Sequence, residues 1–111
     1  MNNAAQDFIM VYVTTGTKDE AESIAQSLVA ARLAACVNVL GEVQSTYRWQ
    51  GQVEKAAEFV LIAKTRAALF DAVRDKIKAL HSYDVPCIVA YAMSDGDGPF
   101  LEWVRDNTRE S

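Results

Sequence analysis

The sequence contains two long segments with a two-residue hydrophobic period, and a glycine lies between them. From residue 35 to residue 49 the odd positions are mostly apolar and the even positions mostly polar, which is typical of a long strand with one buried face. A second such segment runs from about Val53 to Thr65 and ends in the apolar sequence FVLIA. Two alternating segments joined at Gly51 predict a β-hairpin with strands of about fourteen residues.

Strands of this length are longer than the domain that a chain of 111 residues can form. About fourteen residues at 3.3 Å each extend about 45 Å, whereas a compact domain of this size is about 34 Å across. A lone two-stranded ribbon is marginally stable in water, and exposing a large apolar side chain forgoes about 1.5 to 3 kcal/mol. We therefore expect Val43, Tyr47 and Trp49 to contact other copies of the chain. The alternative is that the strands bend at Gly41 and fold the tip back onto the domain.

The register of the hairpin follows from which faces are apolar. A two-residue turn at Gln50 and Gly51 would place the apolar face of the first strand opposite Glu54 and Glu58. A three-residue loop over residues 49–51, with glycine in the left-handed conformation, would instead pair apolar positions with each other. These predicted pairs are Val37 with Ala63, Val39 with Leu61, Val43 with Ala57, and Tyr47 with Val53. The sequence therefore predicts the three-residue loop.

The other segments complete a β-α-β-β-α-β order with a further helix. Their start and stop signals predict strands at 7–15 and 87–93 and helices at 18–33, at 66–81 and from Pro99 onward. The first helix begins after Thr17, which forms a capping-box pattern with Glu20. In the third helix, Phe100, Trp103 and Val104 are predicted to face inward. This order predicts an α+β, ferredoxin-like fold with the second and fourth strands at opposite edges of the sheet.

Composition limits the class of protein and its partners. The length predicts a single domain over residues 1–111, with loose ends at 1–6 and 108–111. The formal net charge is -4 and no basic cluster is present, so nucleic acid and anionic membranes are not expected as partners. The amino end lacks a secretory signal pattern, and the two cysteines are too few for a disulfide framework. We expect a cytoplasmic protein with reduced thiols.

Several motifs together resemble the CutA divalent-cation tolerance family. They are AACVN at 34–38, SxYxWxG at 45–51, KT at 64–65, HxYxxP at 81–86 and LxW at 101–103, with Glu54 and Glu58 between them. The likeness spans about residues 8–105. The resemblance implies a homotrimer that exchanges its long hairpins, similar in assembly to trimeric nitrogen-regulatory signalling proteins. It also implies an association with copper and other divalent metal ions.

The chain departs from the family at the positions that the resemblance links to copper. The proline of HxYxxP is usually followed by glutamate, and here Cys87 stands in that place. A cysteine and a histidine proposed as copper ligands in bacterial relatives are replaced by Thr15 and Leu80, so only His81 carries over. The candidate metal ligands are therefore His81, Cys87 and Cys36. The alternatives are that His81 caps the second helix and that the two cysteines are buried structural residues.

Two further functional hypotheses concern a possible ligand cleft and a possible enzyme motif. Lys64, His81, Tyr83 and Trp103 are candidates for a ligand cleft that binds a small molecule or an anion between subunits. A plain ion pair or a subunit contact at Lys64 is the commoner arrangement. GEVQSTYR at 41–48 is similar to an acylphosphatase signature, but it lies inside a strand and lacks the flexible residues that let backbone amides approach phosphate. With one histidine and no recognisable nucleophile motif, the sequence predicts a protein that is not an enzyme and has no organic cofactor.

Overall fold

The computed structural model describes residues 5–110 and contains a four-stranded antiparallel sheet with helices against it. The strands are β1 (Phe8–Thr15), β2 (Cys36–Trp49), β3 (Gln52–Arg66) and β4 (Ile88–Ala92), and the helices are α1 (Lys18–Ala30), α2 (Phe70–Leu80) and α3 (Gly98–Asp106). The strand order in the sheet is β2-β3-β1-β4. The predicted ferredoxin-like fold is confirmed, with β2 and β4 at opposite edges.

Local signals explain where the helices begin and end. Thr17 accepts a hydrogen bond from the backbone N–H of Glu20 at 3.1 Å, so the predicted cap of α1 is present. The helix ends at Ala30, three residues earlier than predicted, because Arg32 adopts a left-handed backbone conformation with φ 59°. The second predicted helix begins as a 3-10 turn at Ala67–Leu69 before α2 continues it.

One face of the sheet is covered by α1 and α2. The main core consists of inward-facing residues of β1, β3 and the two helices, including Val11, Val13, Leu61, Ile24 and Ile77. A smaller cluster lies where α3 packs at one end of the opposite face: Phe8, Ala35, Leu101 and Val104. The inward prediction for α3 is correct for Val104 and wrong for Phe100 and Trp103, which are 38% and 44% exposed. The inner position belongs to Leu101, one residue after Phe100.

No helix within residues 5–110 lies over the rest of the second sheet face. Directly paired residues share a face, so Met10 with Tyr91, and Tyr12 with Val89, project from this side. Met10, Tyr91 and Val89 are exposed, as is Leu40 on the neighbouring part of β2. We call this surface, defined by Met10, Tyr12, Leu40, Val89 and Tyr91, the open face. It is an apolar sheet surface that the described part of the chain leaves largely exposed.

The β2–β3 hairpin extends beyond the body of the domain. The last residue of β1, Thr15, pairs with Phe59, so residues 43–58 pair only with each other. We call residues 43–58 the arm. The long axis of the molecule is 49 Å, against 26 and 22 Å for the other two. The predicted extension of the hairpin beyond the rest of the domain is confirmed, and the alternative in which its tip folds back is not observed.

The register of the hairpin is as predicted in one half and wrong in the other. Val37 pairs with Ala63, and Val39 with Leu61. A bulge lies between Val39 and Gly41, where Gly41 has φ 101°, and it shifts the register by one residue. Beyond it the pairs are Val43 with Glu58 and Tyr47 with Glu54. The hairpin therefore closes through a two-residue turn at Gln50 and Gly51, with φ 50° and 80°, instead of the predicted three-residue loop.

The described chain ends are partly held in place. Thr108 is 5% exposed, and its hydroxyl accepts a hydrogen bond from Arg66 Nε at 3.0 Å. The backbone N–H of Arg109 donates to the carbonyl of Arg32 at 2.8 Å. The loose end expected at 108–111 therefore does not begin at 108. The expected loose end at 1–6 falls mostly outside the described residues.

Within residues 5–110 no helix is both long enough and apolar enough to cross a membrane.

Candidate functional site

The segment after α2 is attached to the end of β1 by a buried histidine. The backbone becomes extended at His81, where α2 ends, and the side chain is fully buried. Nε2 lies 2.7 Å from the carbonyl oxygen of Thr14, and Nδ1 accepts a hydrogen bond from the backbone N–H of Tyr83 at 3.1 Å. Because a carbonyl oxygen can only accept, Nε2 is the donor in the first contact, and Nδ1 also lies 3.5 Å from Glu20 Oε2. Each ring nitrogen therefore has a backbone partner, and Nδ1 has the Glu20 carboxylate beside it as well.

Tyr83 reaches from this segment to the base of the arm. Its hydroxyl donates to Glu58 Oε2 at 2.9 Å, and its ring centroid lies 4.7 Å from that of His81. A Cβ on Gly16 would lie 3.2 Å from the Tyr83 hydroxyl, so the glycine leaves room for the phenol. Burial and, next in size, the hydrogen bond to Glu58 together raise the pKa of Tyr83 to about 12. The phenol therefore remains a donor to Glu58 at neutral pH.

Tyr83 and Glu58 form part of an open cleft of about 650 Å³ between the arm and the segment after α2. We call it the arm cleft. Its aromatic, acidic and thiol side chains are Tyr47, Trp49, Tyr83, Glu58, Asp84 and Cys87. The remaining lining residues are four with hydroxyl groups and one aliphatic residue: Thr14, Ser45, Thr46, Ser82 and Val85.

The arm cleft has an acidic character. None of the described residues that line it is a lysine, arginine or histidine. The nearest basic residues of the arm, Arg48 and Lys55, alternate with Tyr47 and Glu54 along their strands and so project from the other side of the ribbon. Glu58 is only 8% exposed, and among residues 5–110 it has no ion-pair partner, only the Tyr83 hydroxyl. The cleft thus contains a buried carboxylate that has no cationic side chain beside it among residues 5–110.

The predicted metal ligands lie apart in one subunit. Cys87 lines the arm cleft, and its pKa is raised by burial and then by the charge of Glu58. Cys36 lies on β2 opposite Lys64, on the other edge of the sheet. Among the described residues no three histidine, cysteine or acidic side chains come together as a metal site. A metal site that uses either thiol would therefore need ligands from another chain, or it would hold the ion with fewer than three side chains.

The predicted ligand cleft is divided between two places. Tyr83 lines the arm cleft, with His81 buried behind it. Lys64 lies six residues along β3 from Glu58, a separation of about 20 Å in a strand. Its ammonium group donates to Asn38 Oδ1 at 2.6 Å and lies 6.0 Å from the Phe100 ring centroid. Phe100 in turn stacks with Trp103 at 5.8 Å. Within one subunit, Lys64 and Trp103 do not meet Tyr83.

Sequence reasoning missed Glu58 as a site residue. In the sequence, Glu58 is the last polar residue before the apolar segment FVLIA, and that position at the start of a buried stretch is the signal that it is itself buried. The register prediction treated this glutamate as a reason to reject the correct pairing. The structure shows instead that Tyr83 accommodates it by a hydrogen bond.

The raised pKa of Tyr83 can be measured directly. A spectrophotometric titration of the protein, which has four tyrosines, is expected to contain a phase near pH 12 that is missing in Tyr83→Phe. Glu58→Gln should lower that pKa, whereas Glu54→Gln should not. Because the folded state favours the neutral phenol, its contribution to stability is present below about pH 10 and is lost as the pH rises towards 12. A phase unaffected by Tyr83→Phe would contradict the assignment.

The fold and the site define a class of protein: a ferredoxin-like domain with a protruding β2–β3 arm, an exposed apolar sheet face and an acidic cleft at the base of the arm. The family model described as "CutA1 divalent ion tolerance protein" matches residues 9–107. The chain therefore belongs to the CutA1 divalent ion tolerance family, as the motifs indicated.

Curated relatives agree with this assignment. The chain is 42% identical to the divalent-cation tolerance protein CutA of Thermus thermophilus over 99 residues, which are 89% of this chain and 96% of that protein. It is 44% identical to the chloroplastic protein CutA 1 of Oryza sativa over 103 residues, 93% of this chain. The chain spans only 58% of the rice protein.

Solved structures of relatives have the same fold. A CutA1 structure from Oryza sativa has a TM-score of 0.91 at 43% identity and covers 94% of this chain and 95% of that one. The Thermus thermophilus Cut A1 structure has a TM-score of 0.90 at 41% identity and covers 92% and 99%. An Archaeoglobus fulgidus structure described as a periplasmic divalent cation tolerance protein CutA has a TM-score of 0.88 at 42% identity, covering 90% of this chain and 97% of that one.

Proposed function

We propose that the chain forms a homotrimer in which neighbouring copies cover the open face and the arm. The observation that supports this assembly is the apolar surface that one subunit leaves uncovered. Val43, Tyr47 and Trp49 on the arm are 36%, 43% and 48% exposed, and they project on the same side as the open face. Contiguous apolar patches of this kind are typical of protein interfaces. A trimer would bury both surfaces without changing the subunit fold.

The trimer is proposed to act in divalent-cation tolerance by binding copper or another divalent cation weakly. Family membership carries this proposal, and Cys87 in the acidic arm cleft supplies a donor suited to copper. His81 could bind a metal only by giving up its partners Thr14 and Tyr83. A thiol with a raised pKa must lose its proton to a bound metal, which lowers the apparent affinity at neutral pH. Weak binding is therefore the expected behaviour.

The role is proposed to be non-catalytic and cytoplasmic. The one histidine of the sequence has both ring nitrogens engaged with backbone groups, which leaves it unsuited to general base catalysis. Two cysteines that lie unpaired in the structure suit a reducing compartment.

Metal titration tests the proposed donor. Copper(I), copper(II) and zinc should each be titrated into the untagged protein, into Cys87→Ser, and into Cys36→Ser as the matched control. We expect Cys87→Ser to lose about tenfold or more in copper(I) affinity, because a thiolate is a far better ligand for this soft ion than a hydroxyl group. Cys36→Ser should retain the wild-type affinity. Equal isotherms for wild type and Cys87→Ser would remove Cys87 from the metal site.

A further inference from the structure

We propose that Glu58 of one copy forms an ion pair with Lys64 of the neighbouring copy, so that the next chain completes the charge at the base of each arm. This inference rests on the proposed trimer and adds to it the residues that fix how neighbouring copies are aligned. It depends on where the two charges lie and on the partners that each has within one chain.

Glu58 is a carboxylate that a single copy compensates only in part. It is 8% exposed, and it accepts a hydrogen bond from the Tyr83 hydroxyl at 2.9 Å. Among residues 5–110 no basic side chain forms an ion pair with it. A buried carboxylate is costly without a cation or further hydrogen bonds. A neighbour that covers Tyr47 and Trp49 removes water from the same cleft, so it must bring the cation itself.

Lys64 carries the complementary charge on the body of the domain. It is half-buried, and its ammonium group donates to Asn38 Oδ1 at 2.6 Å and lies 6.0 Å from the centroid of the Phe100 ring. Among residues 5–110 it forms no ion pair. Lys64 pairs directly with Met10, a residue of the open face. A neighbour over the open face therefore encloses an ammonium group that needs an anion.

The two charges project from the same side of β3. The extra residue of the bulge belongs to β2, so the even positions of β3 stay on one face along its whole length. Glu58 pairs with Val43 on the arm, and Lys64 pairs with Met10 on the body. The six residues between the two charges correspond to about 20 Å along the strand. This separation excludes a pair within one copy.

A cyclic trimer brings the two charges together because its interfaces are head-to-tail. Each copy offers one surface to the copy ahead and a different surface to the copy behind. The arm and the open face are both exposed and apolar, so the arm of one copy lies over the open face of the next. Val43, the cross-strand partner of Glu58, then meets apolar side chains around Lys64, such as Met10 and Phe100. Each interface joins one acid and one base, which fixes the alignment of the arm.

The test exchanges the two charges. Glu58→Lys places two lysines at each interface and Lys64→Glu places two carboxylates there, whereas the double variant restores one of each. Native mass spectrometry of mixed unlabelled and isotope-labelled chains measures subunit exchange. We expect each single variant to exchange about a hundredfold faster than the wild type, or to form no trimer, and the double variant to return to within about tenfold. Since the two positions lie about 20 Å apart in one chain, only pairing between copies produces that recovery.

Glu54 provides the matched control for the charge exchange. It lies on the same face of the arm as Glu58, nearer the tip, where it pairs with Tyr47. Glu54→Lys combined with Lys64→Glu should remain as defective as Lys64→Glu alone. The pairing is wrong if Glu54→Lys restores the trimer, or if Glu58→Lys combined with Lys64→Glu does not.

Neutral variants test the pair if a charge-reversed chain fails to fold. Glu58→Gln and Lys64→Gln each leave the other charge buried without its partner, and we expect each to speed subunit exchange about tenfold. The double neutral variant should exchange no faster than either single variant, because it leaves neither charge behind. Two effects that multiply to about a hundredfold would show independent sites and refute the pair.

The mass of the wild type separates this inference from the trimer itself. Sedimentation velocity that gives the mass of one chain would refute both the trimer and the pair. A stable wild-type trimer without recovery in the double variant would refute the pair alone.

Discussion

Met10→Lys is expected to convert the proposed trimer into folded single chains. Met10 lies on β1 in the open face and is 37% exposed in one subunit, so a lysine there can reach water when the chain is alone. In the proposed trimer the same ammonium group would be buried without a partner, at a cost of several kcal/mol for each of three copies. Sedimentation velocity should show the mass of one chain for the variant and of three for the wild type.

The matched control is Leu80→Lys. Leu80 is 39% exposed, nearly the same as Met10, but it lies at the end of α2, away from the open face. The same substitution at that position should leave the trimer intact. Circular dichroism of Met10→Lys should retain the signal of the folded subunit. A trimer that persists in Met10→Lys at micromolar concentration would show that the open face is not the interface.

His81→Ala is expected to lower the free energy of unfolding by about 2 to 4 kcal/mol. The substitution leaves a cavity at a fully buried position, and it removes the partners of the Thr14 carbonyl and the Tyr83 N–H. The segment that holds Tyr83 against Glu58 should loosen as a result. Urea denaturation monitored by tryptophan fluorescence measures the loss.

A control for His81→Ala lies next to it in the chain. Ser82 is exposed and its hydroxyl donates to Glu20 Oε2 at 3.2 Å, so Ser82→Ala should change the stability by less than about 0.5 kcal/mol. His81→Asn offers a polar side chain of smaller size and should recover part of the loss. If His81→Ala unfolds at the same urea concentration as the wild type, the buried hydrogen bonds of the imidazole do not hold the segment.

The fold could be predicted from the sequence because most of its strands and helices are marked by local sequence patterns. Alternating hydrophobicity identified β2 and β3, and the capping box identified the start of α1. Their strand length alone required the arm to leave the body of the domain, and the 49 Å long axis shows that it does. The register of the arm was not predictable in the same way, because a one-residue bulge at Gly41 changes every pair beyond it.

The candidate site was less predictable, because it depends on which side chains meet across the fold. Motif spacing groups Lys64, Tyr83 and Trp103, but in the structure Lys64 lies about 20 Å along β3 from Glu58, the partner of Tyr83. The arm cleft is assembled from β1, the arm and the segment after α2, whose proximity no local pattern encodes. Glu58 was visible in the sequence only as a polar residue beside an apolar segment. Its burial depends on Tyr83, which is distant in the chain.

The bulge at Gly41 reverses which residues of β2 lie on each face of the sheet. Before it, odd residues such as Val39 point towards the helices, and after it odd residues such as Tyr47 point to the opposite side. The one-residue bulge therefore decides whether Tyr47 and Trp49 lie on the helix-covered side of the sheet or on the side of the open face. Insertions or deletions near residue 40 would therefore exchange the outward and inward sets of side chains in one step, without altering a single residue of the arm itself.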